Sequence, residues 1–239
     1  MKSTFLVLSA MASFACPAWA AKSGCSSLPD HAQLAKALDT VVQDGNAGLF
    51  KPNAMWATLV DRSGVVCAVA KVGDAWPGSR VISAQKAHTA NAFSNEHLAL
   101  STANLYSAVQ PGGTLFGLQF SNPVNPEAAY AGQAEAYGTA KDPAVGKRLG
   151  GVNVFGGGLA LYKDGKNVIG GLGVSGDTSC TDHIIAWKIR KALSLDKVPG
   201  GVSPKKDDNI IFDITSGTSA GGFGHPACSP EASKAAAAL

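Results

Sequence analysis

Apolar residues recur with two periods along this chain, and the switches between them mark its elements. From Asp30 to Asp44, Leu34, Ala37, Leu38 and Val41 fall on one face at helical spacing, which predicts a first helix entered through Pro29-Asp30. Met55–Val60 and Val65–Val72 read as strands, and Asp61-Arg62-Ser63-Gly64 joins them as a hairpin turn. Ser79–Ser94 returns to helical spacing. At about 100° per residue, Ile82, Lys86, Thr89, Ala90 and Phe93 share one stripe, so a lysine and a threonine stand among apolar residues. His88 points about 100° away from Thr89. A third helix is predicted over His97–Ala108, after the cap-like Ser94-Asn95 and before Pro111-Gly112-Gly113.

Thr114–Gly150 has no clean period and carries Pro123, Pro126 and Pro143. It reads as a long surface excursion with one helical turn near Glu127–Gln133. Val152–Tyr162 is a strand interrupted by Gly156-Gly157-Gly158, and Lys163–Lys166 is a turn. Asn167–Val174 is the returning strand, running into Ser175-Gly176. Gly170, Gly171 and Gly173 inside that strand mark a crowded backbone, approached either by a ligand or by a packed helix. Thr178–Leu193 is a helix capped by Asp177 or Thr178, Asn209–Ile214 is a short last strand, and the alanines at 235–238 carry no signal. Two hairpins and a last strand among helices predict an α+β layer fold, with one antiparallel sheet of five strands.

The chain ends change this picture. Lys2, the apolar run Phe5–Phe14 and Ala18-Trp19-Ala20 read as a secretory signal peptide over residues 1–20, with the mature chain starting at Ala21. A lipoprotein reading through Cys16 is disfavoured by Ser13 and Pro17. The apolar run is too short for a membrane span, so the expected location is periplasmic or secreted. With 239 residues, 20 Lys and Arg and 17 Asp and Glu, the chain suits one decorated domain and carries too little basic charge for a nucleic-acid surface. Losing Cys16 leaves Cys25, Cys67, Cys180 and Cys228, an even count that suggests two disulfides. Of three connectivities, Cys25–Cys67 and Cys180–Cys228 are favoured. The alternative for Cys67 is a buried small apolar residue between Val65 and Val69.

Common chemistries find little support. There is no G-x-S-x-G elbow, no P-loop, no G-x-G-x-x-G after a first strand, and no His pair at metal-ligand spacing among His31, His88, His97, His183 and His225. Ser101 and Ser175 read as cap or turn residues, and Asp182-His183 as a cap and charge pair near a helix start. The Ile82/Lys86/Thr89/Phe93 face could instead form one wall of an apolar slot, with His88 or His97 as a ligand to a haem iron. Lys86 and Thr89 need partners there. A bound propionate or a carbonyl or carboxylate of the protein would serve equally.

Three motifs in order narrow the choice. Ala84-Gln85-Lys86-Ala87-His88-Thr89-Ala90 with Phe93 is similar to a K-A-x-T-A-x-x-F helix. Gly156-Gly157-Gly158-Leu159-Ala160 resembles a G-G-[VL]-P-[IL] strand entry, with Ala160 in place of Pro. Gly165–Gly176 with Asp182 is similar to G-x-x-I-G-[AG]-[IL]-G-V-S-G…D. From Asp30 to Leu193 the chain thus resembles the GlcG/HbpS haem-binding family, which includes the C-terminal domain of PduO-type proteins. The resemblance implies a profilin-like antiparallel sheet with helices on both faces, homo-oligomers, and binding of haem or a related tetrapyrrole such as a corrinoid. Residues 21–200 would form this domain and 201–239 an extension packed on it. Lys86, His88, Thr89, Phe93, Gly173 and Ser175 are the candidate cofactor-binding residues, and His88 the candidate iron ligand. A binding protein is expected more than a classical enzyme. The alternatives are a small-metabolite enzyme or accessory factor using the same pocket, and an interaction protein whose slot is an oligomer contact.

Overall fold

The computed structural model describes residues 24–51 and 53–239; the leader predicted at residues 1–20 lies outside them. Helix α1 (His31–Val42) is followed by β1 (Met55–Asp61), β2 (Val66–Val72) and α2 (Gly78–Ala92). The excursion holds single turns of helix, α3 (Leu118–Ser121) and α4 (Pro126–Ala129). Then come β3 (Gly158–Tyr162), β4 (Val168–Ser175) and α5 (Ser179–Ala192). A small ribbon of β5 (Ile214–Thr215) and β6 (Thr218–Ser219) precedes α6 (Pro230–Ala237).

Local chemistry sets the boundaries. Asp30 caps α1 by accepting from Gln33 N at 2.9 Å, while Gln33 Oε1 accepts from Asp30 N, a reciprocal capping box. At the β1–β2 turn, Asp61 Oδ1 accepts from the amides of Ser63 and Val65, and Gly64 takes φ +80°. Thr178 caps α5 by accepting from Thr181 N.

The main sheet has the order β2-β1-β4-β3, antiparallel throughout, with Thr58 opposite Gly173 and Leu159 opposite Leu172. Helices cover both faces. On one, Leu34 and Leu38 of α1 and Ile185 and Ile189 of α5 pack on Met55, Leu59, Leu172 and Val174. On the other, Val81, Ala84 and Ala87 of α2 pack with Trp56, Val60 and Val69. Helix α2 lies so close to β4 that a Cβ on Gly171 would sit 2.2 Å from the Ala87 carbonyl oxygen. Gly171 and Gly173 therefore receive a helix backbone, one of the two readings their pattern allowed, while Gly170 faces the Val60 carbonyl of β1.

Four expectations need correction. Among the described residues the sheet has four strands, not five: residues 209–213 have no ladder partner there and only Ile214–Thr215 pairs, within the small ribbon. His97–Ala108 is not an α-helix but a loop followed by 3-10 turns at Thr102–Leu105 and Ser107–Val109. There Ser94 Oγ accepts from Leu100 N, and Ser101 and Asn104 bond each other, so side chains satisfy the backbone and break the helix. The interrupted strand begins only at Gly158, after Gly157 at φ +114°. The alanine-rich end does carry structure, since Ala232 and Ala236 of α6 are buried beside Cys180 and Ile184 of α5.

The two expected disulfides are present, Cys25–Cys67 and Cys180–Cys228. The excursion is anchored by a buried ion pair, Arg80 with Asp142, under the ring of Tyr137. Among the described residues, no helix is long and apolar enough to cross a membrane.

Candidate functional site

The buried lysine of α2 leads to the site. Close contact between α2 and Gly171 and Gly173 of β4 brings the Lys86 side chain to the C-terminal end of the strand. Its Nζ donates to Asp182 Oδ2 at 2.7 Å and to the Val174 carbonyl at 3.2 Å, and Lys86 is 2% exposed. Asp182 stands in the first turn of α5, where its Oδ1 accepts from Asp177 N at 3.0 Å. Burial pushes the Asp182 carboxyl up to about 6, with the Lys86 ammonium opposing it.

The pair borders a cleft of about 490 Å³, with Asn153 and Ser175 beside it and Phe50, Trp76, Ile82 and Phe155 as apolar walls. Phe50, Trp76 and Phe155 are 59%, 66% and 44% exposed, so three aromatic rings stand in solvent around one opening. The loop carrying Phe50 is held by Asp177, whose two carboxylate oxygens accept from the amides of Leu49 and Phe50.

The residues singled out from the sequence separate into groups. Lys86 and Ser175 meet in the cleft. Thr89 lies one layer behind: its hydroxyl donates to Gln85 O at 2.8 Å and accepts from Asn153 N at 3.0 Å, which fixes the wall rather than facing the opening. Gly173 lies under α2, where a Cβ would be 1.9 Å from Ser83 O. Phe93 packs with Leu100, Leu105 and Val154. His88 is half-buried beside the β1–β2 turn, with Nδ1 3.1 Å from where a Gly64 Cβ would be. That Nδ1 has no hydrogen-bond partner among the described residues, and burial lowers the imidazole pKa.

The sequence reading missed Asp182 as the partner of Lys86, and Phe50, Trp76, Asn153 and Phe155 as the walls. Trp76 carried the one available signal, a large apolar residue at a loop tip beside Pro77. Cys25, Asp61 and Cys67 also gather metal-type donor atoms, but both sulfurs are joined in the disulfide.

Comparison with known proteins finds relatives of this chain. An uncharacterized 15.0 kDa protein from the dhaT-dhaS intergenic region of Citrobacter freundii is 32% identical over 129 residues, covering 54% of this chain and 68% of that protein. The crystal structure of a PduOC:heme complex is 26% identical with a TM-score of 0.50, covering 72% of this chain and 98% of that one. Klebsiella pneumoniae ORFY is 26% identical with a TM-score of 0.47, over 68% of this chain and 86% of its own. Residues 30–190 match the family model described as haem degrading protein HbpS-like, and with more than half of its length matched the chain belongs to that family.

Proposed function

We propose that this protein is an exported binding protein for haem or a related tetrapyrrole, and that the aromatic-walled cleft over Lys86 and Asp182 holds it. The observation that carries the reading is this cleft, with three exposed rings and one buried cation, in a chain of the HbpS-like family. The 26% identity to a protein crystallised with heme supports the same ligand class. A flat apolar ligand gains most where rings can cover its faces, and a cation then sets its orientation.

The residues fit the macrocycle better than its iron. Phe50, Trp76, Ile82 and Phe155 suit the porphyrin faces, but among the described residues no imidazole, thiol or thioether lines the cleft. The group would supply its own redox chemistry when bound. This chain's part is to shield its faces from water and to hold its carboxylate edge.

Hemin titration followed at the Soret band tests the reading. Saturable binding that weakens tenfold or more in Trp76→Ala supports it, while a spectrum that only sums free hemin and protein overturns it. Export is supported by the leader-like residues 1–20 and by two disulfides, which persist in oxidising compartments. A mature mass starting at Ala21, with no alkylatable thiol before reduction, is the expected result for native-source protein. The resemblance to oligomeric proteins supports a homo-oligomer, which sedimentation would count.

A further inference from the structure

Three ion pairs are buried among the described residues, and one differs in kind. Arg80–Asp142 and Arg190–Asp208 are two-point contacts, with guanidinium groups that also reach carbonyls and lie against Tyr137 and Trp187. Neither pair borders the cleft. Lys86–Asp182 is a single-point contact, and both of its members line the opening. A lysine ammonium has three donors, and the structure gives Lys86 two acceptors, Asp182 and the Val174 carbonyl.

From this geometry we infer that Lys86 and Asp182 form an exchangeable receptor for a carboxylate on the ligand, which enters with one proton. This rests on the function proposed above and deepens it. The ligand carboxylate takes over the Lys86 ammonium, Asp182 accepts a proton from solvent, and Asp182 Oδ1 keeps its bond from Asp177 N. Charge balances: one anion and one proton arrive, the ammonium stays charged, and a neutral carboxylic acid replaces the aspartate. A protein that instead kept both carboxylates ionised beside one ammonium in a dry site would leave a buried negative charge unpaired.

The surrounding charges agree with this exchange. Burial already holds the Asp182 acid above its ordinary range, and Asp177, on the turn before α5, adds to that rise. Asp177 itself is engaged by the amides of Leu49, Phe50 and Thr178, so it does not compete for the proton-bearing position. His183, next to Asp182 on α5, faces Asn209 of the C-terminal extension. His225 from that extension is kept neutral by burial, with Lys86 contributing. Lys86 on α2 is then the cation that answers to Asp182.

Binding of iron-free protoporphyrin IX, read by tryptophan quenching and by calorimetry in two buffers of different ionisation enthalpy, tests the exchange on the unaltered protein. The expected result is uptake of about one proton per ligand near pH 7, with affinity falling about tenfold per pH unit from pH 7 to 8. The dimethyl ester of the same porphyrin should bind at least tenfold more weakly and take up no proton. In Asp182→Asn the pH dependence should vanish; the wild-type measurements decide the matter where that variant does not fold. Porphyrin binding without proton uptake, or ester binding as tight as that of the diacid, overturns the exchange and leaves the cleft reading standing. No saturable binding of hemin, diacid or ester overturns both.

Discussion

Gly173 and Ser83 stand so close that a Cβ added to the glycine would lie 1.9 Å from the serine carbonyl oxygen, and 2.5 Å from Ala87 N. The helix cannot withdraw cheaply, because Gly171 meets it one pleat further along. Gly173→Val should therefore destabilise by about 2–4 kcal/mol, in the range of severe overpacking. Urea unfolding measures it, and an unchanged midpoint would mean that α2 can lift off the strand without loss.

Lys86→Met leaves the Asp182 carboxylate buried without its cation, and Asp182→Asn leaves the ammonium without its anion. Each single change is expected to cost about 3–5 kcal/mol, since breaking a buried pair strands a charge. The double variant should cost clearly less than the two together. A double-mutant cycle reads the coupling, and strict additivity would show that the two groups ignore each other.

Acid should weaken the fold. His183 and His225 are buried as neutral rings, with pKa values lowered by desolvation to about 3 and about 4. Between those values and the ordinary 6.5 the unfolded chain binds more protons, so stability present at neutral pH is lost as pH falls through that window. Asp182 acts with the opposite sign between 3.8 and about 6, because the folded state holds the extra proton there. Two groups outweigh one, and a net loss of about 2 kcal/mol is expected from pH 7 to pH 5. Unfolding curves at the two pH values check this, and His225→Gln should flatten the dependence.

How much of this was readable from the sequence depended on the range of the interaction. The stripe of Ile82, Lys86 and Thr89 was legible because helical spacing alone places it; in the structure Lys86 and Thr89 are buried and Ile82 is half-buried at the cleft. The answer to Lys86 was not legible, because Asp182 lies 96 residues away and local pattern made it a cap residue. Helix 97–108 failed for a local reason. Ser94, Ser101 and Asn104 offer the backbone better partners than the next turn would. In the tail, Ala232 and Ala236 one helical turn apart, after the Ser229 cap and Pro230, were the missed signal. Their burial depends on a contact with α5 that composition does not announce.

Removing the Cys180–Cys228 bridge by double alanine substitution should destabilise by about 2–4 kcal/mol, the usual contribution of a bridge closing a loop of this size. The loss should be local. Hydrogen exchange is expected to quicken in α6 and around Asn209, whose side chain donates to Ala236 O, while β1 and β4 stay protected. Equal acceleration in the sheet would show that the extension is integral to the core.

The seat of α2 on its strand also decides which wall of the cleft can give way. A helix resting on bare backbone at Gly171 and Gly173 has no side-chain cushion between it and the sheet, so it behaves as a fixed jaw, and Lys86 is fixed with it. The opposite jaw, carrying Leu49 and Phe50, hangs from two hydrogen bonds to the Asp177 carboxylate. For the binding role proposed above, adaptation to guests of different thickness would belong to that second jaw, its reach set by how far those two amides swing before they let go.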